Sequence, residues 1–187
     1  MADLQLTHAP ILNSSAQLLI LPVNTAGILL DPVLARTKTL FPDNYQSYYR
    51  ACRDGTLSVG SCLLHKRVLE QTGLGAGPSG NQPSYIANLI ISDHPYHPAR
   101  TRWLNAALAD LQEQLLPLIR YQGIRRAALL ARPLMFENPR EDTNATIRSE
   151  NLIPLDWHTD TLPLLTQHLQ SLPKLCIDIH LPKDINI

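Results

Sequence analysis

The chain has 187 residues, 44% of them hydrophobic, with sixteen basic side chains against sixteen acidic ones. That length and apolar content suit a single globular domain with a real core, residues 1–187, and exclude a disordered chain. Zero net charge excludes a general nucleic-acid binder on electrostatic grounds, although a local basic patch is compatible with it. Cys52, Cys62 and Cys176 are too few and too scattered for a disulfide framework or a zinc site, so they are expected to pack as small apolar residues. The first ten residues show no basic n-region, and no apolar run approaches the roughly 20 residues of a membrane helix. A cytoplasmic protein with no membrane contact and no cofactor is the expectation.

In chain order, residues 4–12 suit a short edge strand. Residues 16–21 form an apolar run expected to be a central strand ending at Pro22. A small polar turn follows, Val23-Asn24-Thr25-Ala26-Gly27. Asp31-Pro32 predicts a helix start, because aspartate accepts from free N–H groups and proline suits the first helical position. That helix runs to about Leu40, and Asp43 is expected to cap a second one over 44–53. Strands are expected over 61–71 and 85–92, joined by a loop at 72–84 that holds four of the eight glycines. No Lys-Ser/Thr follows those glycines, so they read as a hairpin loop and not as a phosphate cradle. Apolar residues at helical spacing predict a long helix over 101–123, kinked or split at Pro117. A strand at 125–131, a long polar loop at 132–154, a helix at 155–172 and a strand at 174–181 complete the chain. The pattern implies an α/β fold with a mixed central sheet and helices on its faces.

A strand that ends in a small polar turn is where α/β proteins place ligands. Asn24 suits ribose binding, or it closes its own turn. Asp31 suits a general base, or it caps its helix. Asp93, His94, Tyr96 and His97 form the densest polar cluster at a strand end; histidine there suits acid–base work or a metal, and the interleaved Pro95 and Pro98 suit a stiff surface loop. Arg100, Arg102, Arg132, Arg140 and Arg148 are candidate phosphate ligands or solvated surface. Trp103 and Trp157 suit base stacking or the core. Cys52 and Cys62 lack the histidine–acid neighbours of a catalytic thiol.

Four stretches together resemble a macrodomain: Pro22–Gly27; Phe41-Pro42-Asp43-Asn44-Tyr45 with Tyr49–Gly55; Tyr85-Ile86-Ala87-Asn88; and Leu155-Asp156-Trp157. The likeness is to the antitoxin macrodomains that remove ADP-ribose from DNA, the DarG type, and covers roughly residues 11–182 in matching order. It implies a three-layer α/β/α fold and an ADP-ribose-like ligand or an ADP-ribosylated macromolecule. It also implies a toxin–antitoxin or immunity setting with a toxin partner. By that resemblance Asn24 would lie against the distal ribose; Thr25, Ala26, Gly27, Asp31, Ser92, Tyr96, His97, Arg102 and Arg132 are the further ligand-binding candidates. Asn24, Asp93 and His94 are the catalytic candidates, and no metal is implied.

The sequence departs from that family in three places. The glycine-rich phosphate loop is replaced by Leu29-Leu30-Asp31-Pro32, in which proline lacks an N–H and a carboxylate repels phosphate. A second glycine loop would lie between Leu130 and Leu155, yet no glycine occurs after Gly123. The DNA-specific members carry a lysine where Ser92 or Asp93 stands. Two alternatives to nucleotide recognition therefore remain: a protein-binding module without catalysis, and an ADP-ribosyl hydrolase working through other residues.

Overall fold

The computed structural model describes residues 1–68, 82–135 and 155–187. Six strands form one sheet: β1 (Asp3–Thr7), β2 (Leu18–Asn24), β3 (Ser61–Lys66), β4 (Tyr85–Ser92), β5 (Arg126–Leu130) and β6 (Cys176–His180). Their spatial order is β1-β6-β5-β2-β4-β3, with β3 antiparallel to β4 and every other pair parallel. Helices α1 (Pro32–Leu40) and α2 (Pro42–Arg53) pack on one face, and α3 (Thr101–Tyr121) and α4 (Leu162–Leu169) on the other. This is the three-layer α/β/α arrangement with a mixed sheet.

The period of two along buried strands sorts the core. Leu18 and Ile20 point toward α3 and α4, whereas Leu19, Leu21 and Val23 point toward α1 and α2. Both faces are covered, so all seven residues of β2 are buried. On the second face a reciprocal amide pair fixes α2 to the sheet. Asn44 Nδ2 donates to Asn88 Oδ1 at 3.2 Å, and Asn88 Nδ2 donates back at 2.9 Å and to the Leu63 carbonyl at 3.1 Å.

Several boundaries differ from expectation, each for a physical reason. β1 covers 3–7 only, because Pro10 starts a 3-10 turn at Ile11–Asn13. β2 begins at Leu18 and does not break at Pro22 but runs on to Asn24. α2 begins at Pro42, so Asp43 is no cap; its carboxylate is buried against His65 and Arg67. β3 ends at Lys66, where Arg67 and Val68 turn in to Asp43 and Ser84. α3 is one unbroken helix through Pro117, which sits on its exposed side. An interior proline costs about 3 kcal/mol, whereas α3 buries five leucines worth roughly 1.5–3 kcal/mol each. Burial wins. The last helix opens with a π turn at Trp157–Thr161 capped by Asp156, and α4 proper ends at Leu169.

Most of the glycine loop at 72–84 and of the loop expected at 132–154, with Arg140 and Arg148, lies outside the described residues. No described helix is long and apolar enough to cross a membrane.

Candidate functional site

The chain leaves β2 toward α1 on one face and leaves β4 toward α3 on the other. Adjacent strands whose connections depart to opposite faces leave a crevice at their carboxyl ends. A one-residue register shift between Val23 and Asn24 sets Asn24 opposite Ser92 at that crevice. The cleft there has a volume of about 230 Å3 and is lined by Asn24, Ile28, Leu30, Asp31, Ser92, His94, Tyr96 and His97 among others. A second, larger cleft of about 1020 Å3 lies at the ends of β5 and β6, with Arg132, His180 and Leu181 in its wall. Asp31, Pro95, Tyr96 and Met135 line both, so the two halves adjoin along the carboxyl edge of the sheet.

In the first half, nearly every polar group is engaged by the protein itself. Asn24 Oδ1 accepts from the Ala26 N–H at 3.0 Å, and Nδ2 donates to the Ile28 carbonyl at 2.8 Å. The Asn24 carbonyl accepts from the Tyr48 hydroxyl, whose burial, reinforced by Cys52, pushes it far above the ordinary tyrosine range. The Thr25 N–H donates to the Ser92 carbonyl at 3.1 Å. Gly27 is buried with a φ of +76°, and the Tyr49 ring stands 3.2 Å from where a side chain would begin, so any other residue is both strained and crowded. Ser92 Oγ donates to the His94 carbonyl (2.8 Å) or the His97 carbonyl (3.0 Å).

The start of α1 is also closed. Asp31 Oδ1 accepts from the N–H groups of Val33 (2.8 Å) and Leu34 (3.4 Å), and Pro32 has none to give. A helix N-terminus offers donors to an anion, and here the chain's own carboxylate takes them. Asp31 Oδ2 meets Arg132 Nε at 3.4 Å. The carboxylate is thereby paired with the arginine that reaches the same edge.

The Asp93–His97 cluster is the more open part of the rim. His97 Nδ1 donates to Asp93 Oδ1 at 3.0 Å, and that hydrogen bond holds the Asp93 carboxyl below its ordinary value. Asp93 is thus an ionised acceptor at neutral pH. The His94 ring lies 5.3 Å from Tyr96 and 5.1 Å from His97, and its Nδ1 accepts the Tyr96 N–H at 3.2 Å. Among the described residues no three metal-ligating side chains converge.

The structure therefore gathers Asn24, Asp31, Ser92, His94, Tyr96 and His97 at one cleft and puts Arg132 in the other half. Thr25, Ala26 and Gly27 form the turn behind it. Asp93 stands at the rim. Arg102 points elsewhere, its guanidinium 5.8 Å over the Trp103 ring, which Arg100 also covers at 4.6 Å. Trp157 is in the core, whereas Trp103 is only half-buried. Burial beside Asp110 pushes the Cys62 thiol up to about 12, far from a nucleophilic thiolate.

Two residues escaped the sequence reading. His180 is 6% exposed; its Nδ1 donates to the Ala9 carbonyl at 2.7 Å, and its Nε2 is buried without a partner among the described residues. The signal for it was available: strict alternation in β6 sets Ile177 and Ile179 on one face and His180 on the other, at the strand's carboxyl end. Arg67 is the other. Its buried guanidinium donates through Nε to Asp43 at 2.9 Å and lies 4.7 Å over the Phe41 ring. A lone arginine at a strand end gives no such signal in sequence.

No family model matches the chain. Among curated proteins, a DNA ADP-ribosyl glycohydrolase of Thermus aquaticus is 30% identical over 131 residues, 70% of this chain. The chain covers 32% of that protein's length. The macrodomain of Thermus aquaticus DarG superposes with a TM-score of 0.71 at 24% identity, over 97% of this chain and all of that one. The macrodomain of Mycobacterium tuberculosis DarG gives 0.71 at 20% identity, over 98% of this chain and 100% of that one. Thermosipho africanus DarTG in complex with ADP-ribose gives 0.69 at 22% identity, covering 99% of this chain and 43% of that chain. In fold, the chain is a macrodomain of the DarG type.

Proposed function

We propose that the protein recognises ADP-ribose, or an ADP-ribose group carried on a macromolecule, in the two adjoining clefts at the carboxyl edge of its sheet. The observation that carries this reading is the extent of that edge. A cleft of about 230 Å3 meets one of about 1020 Å3, enough length for a two-part ligand with a sugar at one end and a base at the other. The similar DarTG of Thermosipho africanus was solved with ADP-ribose, which supports the ligand class. The relative named as a DNA ADP-ribosyl glycohydrolase makes ADP-ribosylated DNA the first modified target to try, and the resemblance to the DarG-type antitoxins carries a toxin–antitoxin setting with it.

Chemistry orients the ligand. Because His180 Nδ1 donates to the Ala9 carbonyl, a neutral imidazole leaves Nε2 as an acceptor. It complements an amino or hydroxyl donor at the β5–β6 end, between apolar walls that include Ile11, Leu130 and Leu181. Arg132, already at this edge, is the cation for the diphosphate. The Asn24 turn then faces the far sugar. Calorimetric titration with ADP-ribose tests the reading: heat and a thermal shift are expected in the wild type, and silence at millimolar ligand would falsify it.

Hydrolysis is a second reading, favoured by the ionised Asp93 beside His97 at the rim, a carboxylate placed to accept a proton from water. Release of ADP-ribose from ADP-ribosylated DNA, lost in Asp93→Asn and His94→Ala, is the expected outcome if it holds. Binding without release leaves the protein as a reader of the modification.

A further inference from the structure

A third hollow lies away from the cleft, between α2 and β3. It has a volume of about 370 Å3, and none of the described residues that line it lines either half of the cleft. Asp43, Ser47, Arg50 and Asp54 recur at helical spacing and so share one face of α2, with His65 of β3 beside them. The floor is finished: Asp43 accepts from His65 Nε2, from Arg67 Nε and from the Val68 N–H. The wall is not. The Ser47 hydroxyl, the Gln46 amide and the Arg50 guanidinium have no hydrogen-bond partner among the described residues. Because His65 Nε2 donates to Asp43, the neutral ring leaves Nδ1 as an acceptor, and it too has no partner among the described residues. Arg50 and Asp54 stand four residues apart, a spacing at which unlike charges ordinarily meet. Here they do not: Asp54 turns to Arg53 at 3.3 Å, and the Arg50 charge faces the hollow unpaired among the described residues.

We propose that this hollow binds a free α-amino acid, its carboxylate on Arg50 and Ser47 and its ammonium group between Asp54 and His65 Nδ1. Charge decides the class. Arg67 cancels Asp43 beneath the floor, so the wall offers one open cation, Arg50, and one open anion, Asp54. A phosphate would gain a single cation there and meet both the Asp54 carboxylate and the lone pair of His65. No Phe, Tyr or Trp among the described residues lines the hollow, so it has no stacking face for a base or a sugar ring. A zwitterion uses the cation, the anion and the imidazole acceptor at once, through charge-assisted hydrogen bonds. The Gln46 amide and the Thr56 hydroxyl, which donates to the Ala51 carbonyl and can still accept, suit a short uncharged polar side chain. The volume is at the small end of ligand sites, as such a molecule requires.

Glutamine is the probe. Titrated at millimolar concentration into the 15N-labelled protein, it should shift the amide signals of α2 and of β3 around His65 while those of the Asn24 turn stay put. Arg50→Met and Asp54→Asn, both at exposed positions outside the Asp43 cluster, should each weaken it about tenfold and leave the melting temperature at the wild-type value. N-acetylglutamine lacks the ammonium charge and glutamine amide lacks the carboxylate, so neither should move these signals at the same concentration. The assignment is overturned by silence with glutamine, by equal shifts with either capped compound, by wild-type affinity in Arg50→Met, or by tighter binding of inorganic phosphate. The site stands or falls independently of ADP-ribose, because no described residue is common to the two places.

Discussion

The two ends of the cleft differ in how their polar groups are engaged. At the β2–β4 end the chain answers itself: Asn24 closes its own turn, Ser92 bonds the loop that follows it, and Asp31 fills the start of α1. At the β5–β6 end the buried Nε2 of His180 has no partner among the described residues. A buried polar atom left alone costs about 1–3 kcal/mol. A protein keeps such an atom most readily where something else supplies the bond. The difference teaches that ligand discrimination should reside at the His180 end, whereas the Asn24 end serves mainly as a rigid wall.

The self-satisfied side continues along α2 into the Asp43 cluster, where the largest effect is expected. Burial alone would raise the Asp43 carboxyl, but the Val68 N–H, His65 and Arg67 together hold it below its ordinary value. Asp43→Asn leaves the Arg67 guanidinium without its carboxylate and should cost about 3 kcal/mol in denaturant unfolding. The pH dependence has a definite sign. A depressed carboxylate pKa adds stability that is fully present above the unfolded value, about 4, and is lost as pH falls through the lower folded value. The wild type should therefore lose stability on that acid limb, and Asp43→Asn should lose less; parallel curves would show that the cluster carries no such linkage.

His180→Phe comes next. It should lower ADP-ribose affinity about tenfold, or about 1.4 kcal/mol, while changing the melting temperature little, because losing the Ala9 hydrogen bond offsets removal of the unpartnered nitrogen. Unchanged affinity would erase the contrast between the two ends. Asn24→Ala removes two hydrogen bonds from the turn and should cost about 1–2 kcal/mol of stability with a smaller loss of affinity than His180→Phe. The reverse ranking in titrations would move recognition to the Asn24 end. The smallest effect belongs to Asp31→Ala. Losing the cap should cost about 1 kcal/mol, and freeing Arg132 from its carboxylate should strengthen binding of an anionic ligand; weaker binding would show that Asp31 itself faces a donor on the ligand.

Periodicity made most of the fold legible. β4 runs over the expected 85–92 and α1 over 32–40, because continuous apolar runs and an Asp-Pro start leave few alternatives. Asp43 shows the limit. In sequence it precedes a helix like any capping aspartate, and only the approach of Arg67, 24 residues later, turns it into the acceptor of a buried ion pair. The cleft was legible at its β2–β4 end, where turn residues cluster. Its other end was not, because His180 looks like any polar residue in an alternating strand until Ala9 and β5 are brought beside it.

Asp31 has one more consequence. A helix that brings its own anion is equally well ordered whether the cleft is full or empty, since the Val33 and Leu34 donors are occupied in both states. Occupancy therefore cannot tighten this end of α1. Any rise in melting temperature on saturation then reports the ligand's overall affinity for a cleft whose wall at α1 is already set, with no contribution from ordering that helix.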